Sequence, residues 1–137
     1  MNYAVVYYSR SGNTKKLADA AAEVLGVSAQ DVTTDLTEKA DRVFLASSLY
    51  AGGYDPSVAE FVKRNADKIG EIVCIGSSAS GKSTAKKVKV LADGLNIPVY
   101  KRSFNCPGHF LFMHKNRPDG DDLAQLKDFV KSIIEEA

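Results

Sequence analysis

The sequence contains few cysteines, no long hydrophobic run and no excess of either charge. Its two cysteines, Cys74 and Cys106, form no CxxC pair, and no Cys/His cluster has zinc spacing, so no metal site is predicted. Apolar runs of about five residues are too short to cross a bilayer. Because 18 basic residues face 17 acidic ones, the charge gives no reason to expect a nucleic-acid or anionic-membrane partner.

Length and composition are those of a soluble globular domain. The chain has 137 residues, of which 45% are hydrophobic and 26% charged, so we expect one domain over residues 1–137. The first residues, MNYAVVYYSR, have no basic segment before a long apolar stretch, which argues against a secretory signal. The cytoplasm is therefore the expected compartment.

Short apolar runs alternate with helix-like stretches along the chain. The pattern predicts strands at 3–8, 28–33, 42–47, 71–76 and 98–104, and helices at 14–25, 57–66, 82–94 and 120–135. This alternation predicts an α/β fold with a parallel sheet and helices on both faces. In such sheets ligands bind beyond the carboxyl ends of the strands, so the loops that follow strands one, three and four should carry the chemistry.

The loop after the first strand has the composition of an anion-binding turn. It consists of Ser9, Arg10, Ser11, Gly12, Asn13 and Thr14 and leads directly into a helix. A helix N-terminus has unpaired N–H groups and a positive dipole end, so it binds phosphate well. A helix cap needs only one hydroxyl or amide side chain, and this loop has four: Ser9, Ser11, Asn13 and Thr14. Capping alone therefore does not account for them.

The loop after the third strand places two aromatic residues around paired glycines. Tyr50 and Tyr54 flank Gly52 and Gly53, and the run ends at Pro56. Tyrosine offers a flat face to a planar ring, while glycine lets the backbone approach closely or change orientation. A turn with two surface tyrosines is the alternative.

The loop after the fourth strand matches a nucleotide-binding pattern. Residues Gly76–Ser83 read GSSASGKS and fit G-x-x-x-x-G-K-[ST] between a strand and a helix. A nucleotide hydrolase also needs an acid at a strand end to help hold Mg²⁺, and no predicted strand ends in a carboxylate. A P-loop nucleotide binder is therefore kept as the less favoured interpretation.

Together the three loops resemble those of the flavodoxin family, in particular its short-chain members. VVYYSRSGNTKKLADAAAEVL resembles the first strand, phosphate loop and first helix; VFLASSLYAGGYDPSVAEFVKRN resembles the flavin-stacking region; IVCIGSSASG falls where the second flavin-contacting loop lies. The resemblance covers essentially the whole chain. It implies a flavodoxin-like, doubly wound sheet of five parallel strands in the order 2-1-3-4-5.

The resemblance also implies FMN as the cofactor and a set of contacts. Side chains of the first loop, with the N–H groups of Arg10 and Gly12, would hold the phosphate, Tyr50 would stack on the isoalloxazine, and the third loop would offer backbone groups to its pyrimidine edge. The residues so implied are Ser9, Arg10, Ser11, Gly12, Asn13, Thr14, Ser48, Leu49, Tyr50, Ala51, Gly52, Ser77, Ser78, Ala79 and Gly81.

The resemblance implies an electron carrier that serves redox partner proteins, a reductase and an acceptor, without a catalytic residue of its own. The alternative is a flavin-dependent reductase of quinones or another small acceptor. Relatives often have proline where Ser48 stands and an aromatic in the third loop, so one flavin face should be less covered here. The balanced charge also departs from the acidic surface common among carriers.

Overall fold

Strands and helices alternate along the chain, as the spacing of apolar residues predicts. The computed structural model describes residues 2–8, 12–48, 55–78, 85–107 and 120–136, with the backbone alone at residues 13, 48, 77, 78 and 105–107. The strands are β1 (Tyr3–Tyr7), β2 (Ala29–Asp31), β3 (Arg42–Ser48), β4 (Ile72–Ser78) and β5 (Phe104–Pro107). The helices are α1 (Asn13–Leu25), α2 (Pro56–Arg64), α3 (Ala85–Gly94) and α4 (Gly120–Glu136), and a 3₁₀ turn covers Ala66–Lys68.

The strands form one parallel sheet in the order β2-β1-β3-β4-β5, so the predicted α/β class is confirmed. The chain moves outward from β1 to β2, then crosses back to place β3 on the other side of β1. The direction of winding therefore reverses between β1 and β3. A crevice at this switch point is where ligands bind in open α/β sheets.

Two layers of helices cover the two faces of the sheet. Successive strand residues belong to different cores, as the alternation of side chains across a strand requires. Val43 and Leu45 of β3 pack with α2 and α3, whereas Phe44 and Ala46 pack with α1 and α4. Because both faces are buried, the central strands consist of nearly continuous apolar residues rather than an alternating pattern.

The predicted fifth strand, 98–104, is wrong in its extent. Val99 makes an isolated bridge with Ile72, and regular pairing resumes only where Phe104 meets Ile75. Between these two contacts the chain advances five residues, from Val99 to Phe104, while β4 advances three, from Ile72 to Ile75. The extra residues therefore leave the ladder as a bulge. Side-chain packing accounts for the bulge.

The side chains of the bulge turn toward the end of α4. The Arg102 guanidinium lies 5.9 Å from the Tyr100 ring centroid and 2.7 Å from a Glu136 carboxylate oxygen. The Tyr100 hydroxyl donates a hydrogen bond to the same carboxylate. These contacts attach α4 to the amino-terminal edge of the sheet, away from the switch-point loops. Among the described helices, none combines the length and apolar character needed to cross a membrane.

Candidate functional site

Three strand ends meet at the carboxyl edge of the sheet. The backbone N–H of Tyr8, just after β1, donates to the carbonyl of Ala46 at 3.1 Å. On the other side of β3, Ser47 pairs with Gly76 and Ser48 with Ser77. The segments that follow β1, β3 and β4 therefore start from neighbouring strands, which lie about 4.8 Å apart. The strands that precede the three loops indicated by the sequence thus end side by side at one edge of the sheet.

The N-terminus of α1 follows a glycine turn. Gly12 precedes the helix in a left-handed conformation, with φ of 90° and ψ of −9°, and no side chain caps it. The first helical bond runs from the N–H of Lys16 to the carbonyl of Gly12 at 3.2 Å. In general, the N–H groups of a helix's first turn precede the helical hydrogen-bond ladder, and a helix start attracts anions for this reason.

The charges near this helix start favour an anion as well. The first turn of α1 contains no acidic residue, although carboxylates usually stabilise that position. Lys15 donates to Asp19 at 3.0 Å, and this hydrogen bond, strengthened by the charge on the carboxylate, raises the pKa of Lys15 above its ordinary value. The ammonium group also lies 6.0 Å from the Tyr7 ring centroid. Lys15 is therefore protonated at neutral pH, and its charge is paired with that of Asp19.

Ser47 contributes a buried hydroxyl at the end of β3. The side chain is 1% exposed, and among the described residues its Oγ has no hydrogen-bond partner. An unpaired buried polar atom is costly, and it usually marks a place where a water or ligand completes the bond. Ser47 is not among the residues selected from the sequence. The sequence feature that could have indicated Ser47 is its position directly after the apolar run VFLA, at the end of a predicted buried strand.

The start of α2 fixes the far end of the segment that follows β3. The Asp55 carboxylate accepts hydrogen bonds from the Ser57 N–H at 2.9 Å and from the Ser57 hydroxyl at 2.7 Å. Pro56 occupies the first helical position, where its fixed φ suits a helix and no N–H is needed. The cap therefore sets where the helix begins and where the preceding loop must end.

The geometry of β4 disfavours the P-loop interpretation of residues 76–83. Gly76 and Ser77 are paired with β3 on one side, and Gly76 to Ser78 are paired with β5 on the other. A phosphate loop needs its backbone amides free to turn toward the phosphate. Three of the eight motif positions are instead extended strand residues in the middle of the sheet.

The predicted site residues fall into two groups. Gly12, Asn13 and Thr14 lie at the start of α1, with Thr14 buried, Ser48 ends β3, and Ser77 and Ser78 end β4. The remaining predicted residues lie outside the described ranges: Ser9, Arg10, Ser11, Leu49, Tyr50, Ala51, Gly52, Ala79 and Gly81. Each of them continues a segment whose start or end is at this edge.

The donor set fits FMN. A phosphate suits the amides and positive charge at the start of α1, and a planar ring system suits the adjacent ends of β3 and β4. The orphaned Ser47 hydroxyl adds an unsatisfied polar atom at the same edge. Within the described part of the chain, no group of three or more His, Cys, Asp or Glu residues is positioned to hold a metal ion.

Comparison with known proteins identifies the family. Residues 4–105 match the flavodoxin domain family. An uncharacterized protein of Methanocaldococcus jannaschii is 28% identical, and the alignment covers 89% of this chain and 90% of that protein. A flavodoxin from the domain Archaea superimposes with a TM-score of 0.78 at 19% identity, covering 99% of this chain and 98% of the other. Flavodoxin 1 from Bacillus cereus gives a TM-score of 0.75 at 17% identity, covering 100% and 99%. The chain therefore belongs to the flavodoxin domain family, with FMN as its cofactor and flavin-based electron transfer as its general role.

Proposed function

We propose that this chain is a one-domain electron carrier that takes electrons from a reductase and delivers them to an acceptor protein through bound FMN. The cytoplasm is its proposed compartment. The observation that carries the proposal is the start of α1, which follows Gly12 in the left-handed conformation and has no acidic residue in its first turn, together with the paired ends of β3 and β4. The family assignment supports the same role.

In this proposal the first loop and α1 hold the phosphate. Hydroxyl and amide groups of Ser9, Ser11, Asn13 and Thr14 surround it, together with the N–H groups of Arg10 and Gly12. Support comes from the absence of an acid in the first turn and from the positive charge on Lys15. Several neutral donors and a helix dipole bind a dianion without a buried formal charge, which would be expensive to desolvate.

The ring system of the flavin is proposed to lie across the ends of β3 and β4. Ser48, Leu49, Tyr50, Ala51 and Gly52 would line one side, with Tyr50 stacked on the ring. Ser77, Ser78, Ala79 and Gly81 would present backbone groups to the pyrimidine edge. The pairing of Ser48 with Ser77 supports this proposal, because it makes the two segments leave the sheet as neighbours.

Bound flavin supplies the one-electron chemistry, and the protein supplies position and electrostatics. A carrier needs no protein nucleophile. Burial raises the pKa of the Cys74 thiol to about 12, so this cysteine stays protonated and unreactive at neutral pH. Its buried position among apolar side chains indicates a packing role.

A kinetic assay separates the carrier from a flavin-dependent reductase of small acceptors. The FMN-loaded protein is mixed with NADPH or NADH and a quinone, with and without an added flavoprotein reductase. A carrier reduces the quinone only slowly without the reductase, since nothing passes hydride to its flavin. Steady turnover of the quinone by the chain and nicotinamide alone would instead assign the reductase function.

A further inference from the structure

The outer face of α3 is rich in lysine. Lys86, Lys87 and Lys89 are all exposed, and Val90 lies among them with 76% of its surface accessible. Val88 and Ala92 are buried against the sheet, so the apolar stripe of the helix is already used. We call the outer set of Lys86, Lys87, Lys89 and Val90 the lysine face.

Two of these lysines have no ionic partner among the residues that the structure describes. Lys89 pairs with Asp93 at 3.2 Å, whereas Lys86 and Lys87 form no salt bridge within the described residues. On a helix, residues three and four positions apart are neighbours, so both lysines adjoin Val90 one turn later. An exposed apolar side chain is thus bordered by free positive charge.

The opposite layer of the molecule has the reverse charge. The exposed acidic residues of α4 are Asp121, Asp128, Glu135 and Glu136, of which Glu136 pairs with Arg102, and the helix contains two lysines, Lys127 and Lys131. α4 covers the other face of the sheet, together with α1. Although the net charge of the chain is small, the exposed faces of α3 and α4 differ in the sign of their charge. An acidic molecule is therefore attracted to α3 and repelled by α4.

The lysine face follows the proposed flavin site closely along the chain. α3 begins seven positions after β4 ends, and β4 ends with Ser77 and Ser78 at the edge where the flavin is proposed to bind. A protein docked on α3 would approach that edge. Short distances between cofactors are what an electron-transfer complex requires, and weak complexes with small interfaces suffice for it.

We propose that the lysine face of α3 docks an acidic protein, and that this protein is one of the electron-transfer partners. The second part rests on the proposed carrier function, whereas the docking itself does not. An apolar centre with a charged rim is typical of protein interfaces. One valine gives too little apolar surface for membrane binding, and two free lysines are too few for a nucleic-acid footprint.

Binding is tested on the full-length protein, with a [2Fe–2S] ferredoxin of strongly negative net charge as the probe. Titration of the ¹⁵N-labelled chain at low ionic strength should shift amide signals in 85–94, and the affinity should fall as salt is raised. The double variant K86E/K87E should bind about tenfold more weakly or worse, because its charges then repel the probe. V90S should also weaken binding while leaving the salt dependence unchanged.

The matched control is K39E/K131E, which makes the same change in net charge at two exposed lysines outside α3. It should keep nearly the wild-type affinity. Equal losses in the two double variants would overturn the assignment to α3, because they would show a general charge effect. Absence of binding at low salt, signal shifts confined to other elements, or tighter binding to anionic vesicles or duplex DNA would overturn it too.

A second readout keeps docking apart from electron transfer. The rate at which the reduced ferredoxin passes electrons to the oxidised, FMN-loaded chain should fall about tenfold in K86E/K87E and stay unchanged in K39E/K131E. Docking without FMN uptake would refute the carrier function and leave the docking surface standing. FMN uptake with no docking on α3 would refute the lysine face and leave the carrier function standing.

Discussion

Gly12 and Gly26 hold the two ends of α1 in the same left-handed conformation, with φ of 90° and 70°. A methyl group at either position would meet no atom within 4 Å, so the requirement for glycine is conformational and not steric. Only Gly12 lies at the proposed phosphate site. Substitutions at the two glycines therefore cause similar backbone strain, but only a substitution at Gly12 should also affect ligand binding.

Gly12→Ala and Gly26→Ala should each lower the free energy of unfolding of the apoprotein by about 1 kcal/mol, the cost of a left-handed alanine. Only Gly12→Ala should also weaken FMN binding, by roughly tenfold, because the donors at the helix start shift. Denaturant unfolding and fluorescence titration measure the two effects. An equal loss of FMN affinity in both variants would contradict a phosphate site at Gly12.

Cys74 predicts a pH effect on stability. Its pKa is about 12 in the folded chain and 9.0 for an exposed thiol, so folding keeps the thiol protonated. The contribution of this protonated thiol to the free energy of unfolding is fully present below pH 9. It is lost as the pH rises toward 12, by about 4 kcal/mol at most. Below pH 9, Cys74→Ala should differ from the wild type by a constant packing loss, and above it the two unfolding curves should converge. Parallel curves over the whole range would contradict this cause.

The proposed site rests on residue types, which are read from the sequence, and not on the surroundings of those residues, which are not. The turn Ser9 to Thr14 was selected because hydroxyls, an amide and a glycine precede a helix. Ser47 was missed, because its role depends on burial and on a missing partner, which follow from how β3 packs between β1 and β4. A single sequence gives no direct measure of either property.

At the scale of elements, the cap of α2 connects helix stability to the proposed flavin loop. Asp55→Ala should destabilise the protein by about 1 kcal/mol, because two hydrogen bonds to Ser57 are lost. Asp55→Ser, which keeps a capping oxygen, should retain most of the stability. Urea unfolding of the two variants tests this. Equal stability of the alanine and serine variants would show that the cap is unimportant.

Elements with strong local signals were predicted well, and β5 was not. α1 and α4 have clear apolar stripes and recognisable starts, so their bounds agree with the predicted ones to within one residue. The segment from Pro98 to Phe104 has the composition of a strand. Its middle leaves the ladder because Tyr100 and Arg102 interact with Glu136, which is distant in sequence. Local pattern carries no information on such contacts.

At the scale of the whole molecule, the net charge of +1 predicts the redox behaviour of the flavin. The negative charge of a strongly acidic carrier repels the negative charge of the reduced flavin. This repulsion should be weaker in the present chain, because its net charge is +1. Its second one-electron potential should therefore be less negative than theirs by about 59 mV or more, which corresponds to a tenfold change in the equilibrium constant. Spectroelectrochemistry at low salt measures it. An equal or more negative potential would refute the charge argument.

The central claim is that the start of α1 binds the phosphate of FMN, and a titration of the apoprotein with FMN, riboflavin and MgATP tests it most directly. FMN should bind saturably, and riboflavin, which has no phosphate, about 100-fold more weakly, since the charge-assisted hydrogen bonds are lost. MgATP should show no saturable binding. Riboflavin binding as tightly as FMN, no uptake of FMN, or saturable binding of MgATP would contradict the account.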